Sequence, residues 1–179
     1  SSGDSISITL TFSENVTVTG TPQLLLETGP VVDALANYSS GSSTSILTFL
    51  YIVAAGDSSA DLDYVDTTAF LLNGGTVKDY GGNDAILTLP IPGTSMSLGA
   101  ENSLVIDGNI PAVSTVSSFT ADGIYSVGDS IDISVAFNEV VSVSGIPKLT
   151  LETGSTDAVI DYVGGSGTST LIFRFTIAG

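Results

Sequence analysis

The chain has 179 residues, with 19 Asp and Glu against 3 Lys and Arg and a formal net charge of -16. Phosphate backbones and anionic membranes are gripped by clustered Lys and Arg, and Lys78, Lys148 and Arg174 are scattered singles, which speaks against both as partners. Only 12% of residues are charged and 42% are hydrophobic, enough apolar material for a core and unlike a disordered acidic tail.

Taken along the chain, Ile6, Ile8, Leu10 and Phe12 alternate with hydroxyl residues and predict a strand, with Val16 and Val18 as a short continuation and Leu24 and Leu26 as the next strand. Further strands are expected at Val31 to Tyr38, Ser45 to Val53, Ala69 to Leu72, Ala85 to Leu89 and Leu104 to Ile106. Thr-Gly-Thr-Pro, Ser-Gly-Ser-Ser, Asn-Gly-Gly and Pro-Gly mark the turns between them. A last strand signal runs from Val113 to Phe119, and no stretch has a helical period. The longest apolar run, Ile46 to Ala55, is about ten residues and too short to cross a bilayer. Residue 1 is Ser, with no basic or hydrophobic leader behind it, as expected of a mature protein or of a window from a longer one.

An internal repeat organises these elements. Gly3 to Gly29 aligns without a gap to Gly128 to Gly154, with 16 identities in 27 positions at an offset of 125. The offset then becomes 124, so that Tyr38, Gly41, Ser42, Thr44, Leu47 and Phe49 match Tyr162, Gly165, Ser166, Thr168, Leu171 and Phe173. From Asp4 to Thr28 the even-numbered residues are identical in both copies except Leu10 against Val135, while nearly all odd ones from Ser7 to Leu25 differ. Agreement with a period of two is the mark of strands with one buried face, so the even face is the expected core.

Many short strands without helices to cover a parallel sheet imply an all-β fold of tandem antiparallel β-sandwich domains, immunoglobulin-like or cadherin-like. The expected domains are 1–109, lacking its first strand segment, and 110–179, incomplete at its C-terminal end. Two origins of this phase remain open: a tandem array cut through two units, or a neighbouring chain that supplies the missing strands.

The runs FSENVTVTGTPQLLLETG, Tyr38-Ser-Ser-Gly-Ser-Ser-Thr, Leu47-Thr-Phe, GDSSADLDY at 56 to 64 and LLNGGTVKDYGGNDAILTLP at 71 to 90 resemble the tandem immunoglobulin-like repeats of giant bacterial surface proteins and adhesins. The resemblance covers essentially the whole chain. It implies an extracellular, cell-surface location, calcium binding, and a role as spacer or adhesive module.

Three acidic features are candidates for calcium, which takes six to eight oxygen ligands. Asp57, Asp61 and Asp63 fall within seven positions after the long apolar strand. Glu14 carries core-side parity among apolar neighbours and recurs as Glu139, so a metal ion would resolve its burial; alternatively, a bulge after Phe12 turns it outward. Asp107 and Asn109 lie where one unit ends, and Asp122 lies early in the next, in the manner of acidic linkers between cadherin-type domains; ordinary turns account for the same residues without an ion. Asp79 to Asp84 reads as a hairpin turn.

Cys and His are absent, which removes disulfides, thiolate and imidazole zinc ligands, and every triad with an imidazole base. A carboxylate pair of glycosidase type finds no aromatic sugar platform beside Glu27, Glu101 or Glu152, and neither Lys78 nor Lys148 lies in a nucleophile motif. The expectation is a non-enzymatic, calcium-stiffened spacer whose partners are neighbouring repeats. The alternatives are an adhesin module binding a glycan or host protein through loops such as Pro30 to Asp33 or Pro90 to Met96, and a subunit of a self-assembling filament or surface layer. Two sequons, at Asn15 and Asn37, are expected to be exposed.

Overall fold

Alternating apolar and hydroxyl side chains build a nearly all-β chain of antiparallel strands. A computed structural model of the protein describes residues 1–29 and 32–179, so the strand expected over 31–38 and the loop over 30–33 lie partly outside the described residues. The chain divides into two compact units, Ser1–Ile110 and Pro111–Gly179.

The first unit contains β1 (Ser5–Thr19), β2 (Gln23–Leu26), β3 (Ala34–Ser40), β4 (Thr44–Ile52), β5 (Ser58–Ser59), β6 (Phe70–Leu71), β7 (Thr76–Lys78), a single helical turn α1 (Leu98–Glu101) and β8 (Ile106–Asp107). Its main sheet has the order β6-β2-β3-β4-β1-β7, and β5 pairs with β8. The second unit contains β9 (Val113–Ser118), β10 (Ser130–Val141), β11 (Lys148–Leu151), β12 (Ala158–Gly164) and β13 (Thr168–Thr176), in the order β11-β12-β13-β10-β9.

β1 changes partner halfway. Ser5 to Thr11 pair in register with Ile52 to Ile46 of β4, the register then slips before Val16 meets Thr44, and Thr17 to Thr19 pair with β7 on the opposite edge. Such a bulge bends a strand and lets it take a new partner on its other edge. β10 has the same slip between Ala136 and Val141 against β13.

Even parity does face inward. Ile8, Val16, Leu24 and Leu26 are buried, and Ile6, Leu10, Phe12 and Val18 pack against them half-buried. β4 adds Leu47, Phe49 and Tyr51; Phe49 meets Phe70 edge-to-face at 5.4 Å and Tyr38 at 6.0 Å, contacts that add specific geometry to the area they bury. Leu62, Tyr64, Ala69, Val77 and Ile106 close the core from the later strands and loops. The second unit buries Val135, Val141, Ile160, Leu171 and Phe173, which are the counterparts of Leu10, Val16, Ala36, Leu47 and Phe49.

One expectation is corrected, and Glu14 takes one of its two readings. Ala85 to Leu89 alternates in burial, with Ile86 and Thr88 outward, but it belongs to no strand: its backbone bonds run singly, from Ala85 to Val77 and from Leu89 to Thr67. Glu14 is exposed, the outward of its two readings, whereas Glu139 after the same slip is half-buried. The short strands β5 and β7 have too few residues to show a period.

Candidate functional site

The acidic loops of the first unit owe their shape to carboxylates that accept backbone N–H groups. Asp57 follows β4, and its Oδ2 accepts from the Tyr51 hydroxyl at 2.7 Å and from the Ala54 N–H at 2.8 Å. Burial, together with the bond to Asp57 and its negative charge, pushes the Tyr51 phenol well above its usual range. The same loop is stitched to the end of the unit: Gly108 N–H donates to the Asp57 carbonyl at 2.7 Å, and Ser58 pairs with Asp107 across β5 and β8. A Cβ on Gly108 would lie 2.2 Å from the Ala54 carbonyl oxygen, so only glycine permits this approach.

Asp61 and Asp63 reach further along the chain. Asp61 Oδ1 accepts from Leu104 N–H at 3.3 Å. Asp63 Oδ1 accepts from Tyr64 N–H at 2.9 Å and its Oδ2 from Gly93 N–H at 3.0 Å. The buried Ser97 hydroxyl accepts the Gly93 N–H at 3.1 Å and caps α1 through Ala100 N–H at 3.3 Å. Burial, aided by the charge of Asp63, raises the Tyr64 phenol above its ordinary value. Asp66 holds both the N–H and the hydroxyl of Thr68, and Asp79 holds the N–H and side-chain amide of Asn83, so each carboxyl is drawn below the usual carboxylate range. Asp79 and Asn83 do close a turn, with Gly82 at φ +87°.

The remaining candidates are dispersed. Asp107 Oδ1 accepts Asn109 N–H at 3.3 Å, and Asp107, Asn109 and Asp122 are exposed. Glu14 is exposed; Glu139 is half-buried, and its Oε1 has no hydrogen-bond partner among the described residues. The fold thus sets Asp57 next to the small sheet that holds Asp107, and Asp61 and Asp63 as separate loop anchors. Among the described residues no three acidic side chains gather into a group able to hold a metal ion.

Each basic side chain meets one Asp: Lys78 meets Asp84 at 2.5 Å, Lys148 meets Asp161 at 2.5 Å, and Arg174 forks onto Asp132 at 2.7 and 2.9 Å. The fork, through its hydrogen bonds first and its charge second, lowers the Asp132 carboxyl. Sequence reasoning missed the pairs Lys148–Asp161 and Arg174–Asp132, whose partners lie on other strands, and also Ser97, whose bonds to Gly93 and Ala100 are local but fall where no helical period marked a cap. The two sequon residues, Asn15 and Asn37, are both exposed.

One further feature of the first unit is a groove of about 930 Å³ between Thr9 to Glu14 of β1 and the run from Asn83 to Pro90, floored by Leu10, Phe12, Phe70 and Leu87. No family model matches the chain, and neither a curated protein nor a solved structure matches it.

Proposed function

We propose that the chain is a non-enzymatic repeat module of tandem immunoglobulin-like β-sandwiches, acting as an extracellular spacer in a large bacterial surface protein. The observation that carries this reading is a corner built twice from the same atoms. In the first unit Ser42 N–H donates to the Tyr38 hydroxyl at 2.8 Å, Thr44 Oγ1 donates to the Gly41 carbonyl at 2.8 Å, and Val18 N–H donates to Ser42 Oγ at 3.0 Å. In the second, Ser166 N–H donates to Tyr162 at 2.7 Å, Thr168 to Gly165 at 2.8 Å, and Val143 N–H to Ser166 Oγ at 2.9 Å. A unit repeated to this detail serves a load or a length better than it serves one reaction centre.

Calcium enters the proposal as a counterion that neutralises the acidic loops. Its support is the balance of 19 acidic to 3 basic residues, since self-repulsion on this scale opposes the compact state. Single-molecule stretching of the chain, with and without millimolar calcium, tests both parts. Two unfolding events of high mechanical resistance support the spacer, and stiffening by calcium supports the counterion role. Unfolding without a resolvable force barrier would count against the spacer. Equal forces and an equal melting temperature in chelator would remove calcium and leave the spacer.

A further inference from the structure

The outer edge of β1 is open over the very stretch where its counterpart is closed. β4 bonds to the even residues of β1, as in the Val53 N–H to Asp4 carbonyl bond at 2.9 Å, and β7 joins the other edge only at Thr17 to Thr19. The backbone groups of Ser7, Thr9, Thr11 and Ser13 on that other edge pair with no strand among the described residues. In the second unit the equivalent edge of β10 is taken by β9, with Ile133 opposite Ser118, Val135 opposite Val116 and Phe137 opposite Val113. Bonds from Phe119 N–H to the Asp132 carbonyl at 3.3 Å and from Asn138 N–H to the Ala112 carbonyl at 3.0 Å close its two ends. With the offset of 125, those acceptor and donor positions are Ser7 and Ser13.

We infer that the groove beside β1 is an acceptor site for one extended strand of the β9 type, lying antiparallel to β1. Three observations converge on this occupant. The core-facing residues of β1 on that stretch, Ile8 and Phe12, are identical to Ile133 and Phe137, which β9 accompanies, and Leu10 replaces Val135 conservatively. The groove runs along Thr9 to Glu14, and the six residues of β9 extend over about 20 Å, the reach of β1 from Ser7 to Ser13. Its far wall supplies what β9 lacks in the second unit: Val113 and Val116 are 56% and 57% exposed there, whereas a strand seated on β1 would set them beside Leu10 and Phe12 and against Leu87 and Leu89. Main-chain bonds to β1 would give affinity and the valines would give register, as in other strand-addition complexes. Ser13 replaces Asn138 at one end, so the side-chain clamp from Asn138 to Ala112 N–H is the one contact without a like-for-like residue.

The test adds a synthetic peptide of sequence Pro111 to Thr120 to the full chain labelled with ¹⁵N and follows amide hydrogen exchange. At about ten times its dissociation constant the peptide should slow exchange at Ser7, Thr9, Thr11 and Ser13 roughly tenfold. Ser117 stands opposite Ser134, the counterpart of Thr9. A peptide with Ser117→Pro loses a donor to β1 and should give no slowing. A chain with Thr9→Pro should fold, because that N–H faces away from β4, and should no longer respond. The inference is overturned by no change in these four amides at millimolar peptide, by an equal response to the proline peptide, or by changes confined to β10. None of these readouts depends on calcium or on mechanical strength.

Discussion

Substituting Gly41 or Gly165 by Ala probes the corner that both units share. Gly41 has φ +109° and Gly165 φ +104°, and a Cβ on either would lie 2.0 Å from a backbone carbonyl oxygen, that of Ile46 or Thr170. The backbone conformation alone costs an alanine about 1–2 kcal/mol. The clash adds to this, because that same oxygen accepts the hydroxyl of Thr44 at 2.9 Å or of Thr168 at 3.0 Å, and moving it breaks the corner. A total of about 3 kcal/mol per site is expected, equivalent to about 10–20 °C in melting temperature for a unit of this size. Gly3→Ala and Gly128→Ala are the controls, with φ +90° and +96° and nothing within 4 Å of the added Cβ, so they carry the conformational cost alone. Thermal melts by circular dichroism give the magnitude, and amide exchange in each unit locates it. Equal destabilisation by Gly41→Ala and Gly3→Ala would refute the close approach, and a large effect at Gly41 with none at Gly165 would refute the shared corner.

Other expectations follow from the same contacts. Phe49→Ala removes a fully buried ring from three-way aromatic packing and should cost about 3–5 kcal/mol in urea unfolding, against less than about 1 kcal/mol for exposed Ile86→Ala. Asp57→Ala leaves the buried Tyr51 hydroxyl and the Ala54 N–H without their acceptor and should lower stability by about 1–3 kcal/mol, measured by urea unfolding. Because Asp66, Asp79 and Asp132 have folded carboxyls below their unfolded values, their contribution is present above about pH 4 and is lost as pH falls through the folded values. Tyr51 and Tyr64 act at the other end: their raised phenols contribute fully below about pH 10, and stability should fall as pH rises through the folded values, followed by ultraviolet titration with parallel melts. With a net charge of -16, moderate salt should raise the melting temperature, and no rise between 10 and 300 mM would contradict dominant self-repulsion.

The all-β character and the buried face were legible because a period of two survives in any window of the chain. Ile8, Val16, Leu24 and Leu26 could be placed in the core before any partner strand was known. What failed was whatever depends on a second segment. Glu14 is exposed after the slip between Thr11 and Val16, while Glu139 after the same slip in β10 is half-buried, a difference that parity alone does not show. Ala85 to Leu89 alternates like a strand, but no neighbouring strand pairs with it in a ladder.

The acidic loops likewise depend on distant segments. Three Asp residues in seven positions resemble ligands for one ion, while their oxygens go to Tyr51 and Ala54, to Leu104, and to Tyr64 and Gly93. Two of those donors are 43 and 30 residues away, so no local spacing could reveal them. Asp79 to Asn83, whose partners are four residues apart, was readable as a turn for the opposite reason.

Residue-resolved amide exchange on the intact chain, read at matched positions of the two units, tests the repeat most directly. Ser42 and Ser166, Ser43 and Gly167, and the amides that join β1 to β4 and β10 to β13 should exchange slowly at matched positions of both units, while the intervening amides of β10 are slow as well because β9 bonds them. Protected amides in the first unit beside freely exchanging counterparts in the second would contradict the claim that one structural plan has been built twice.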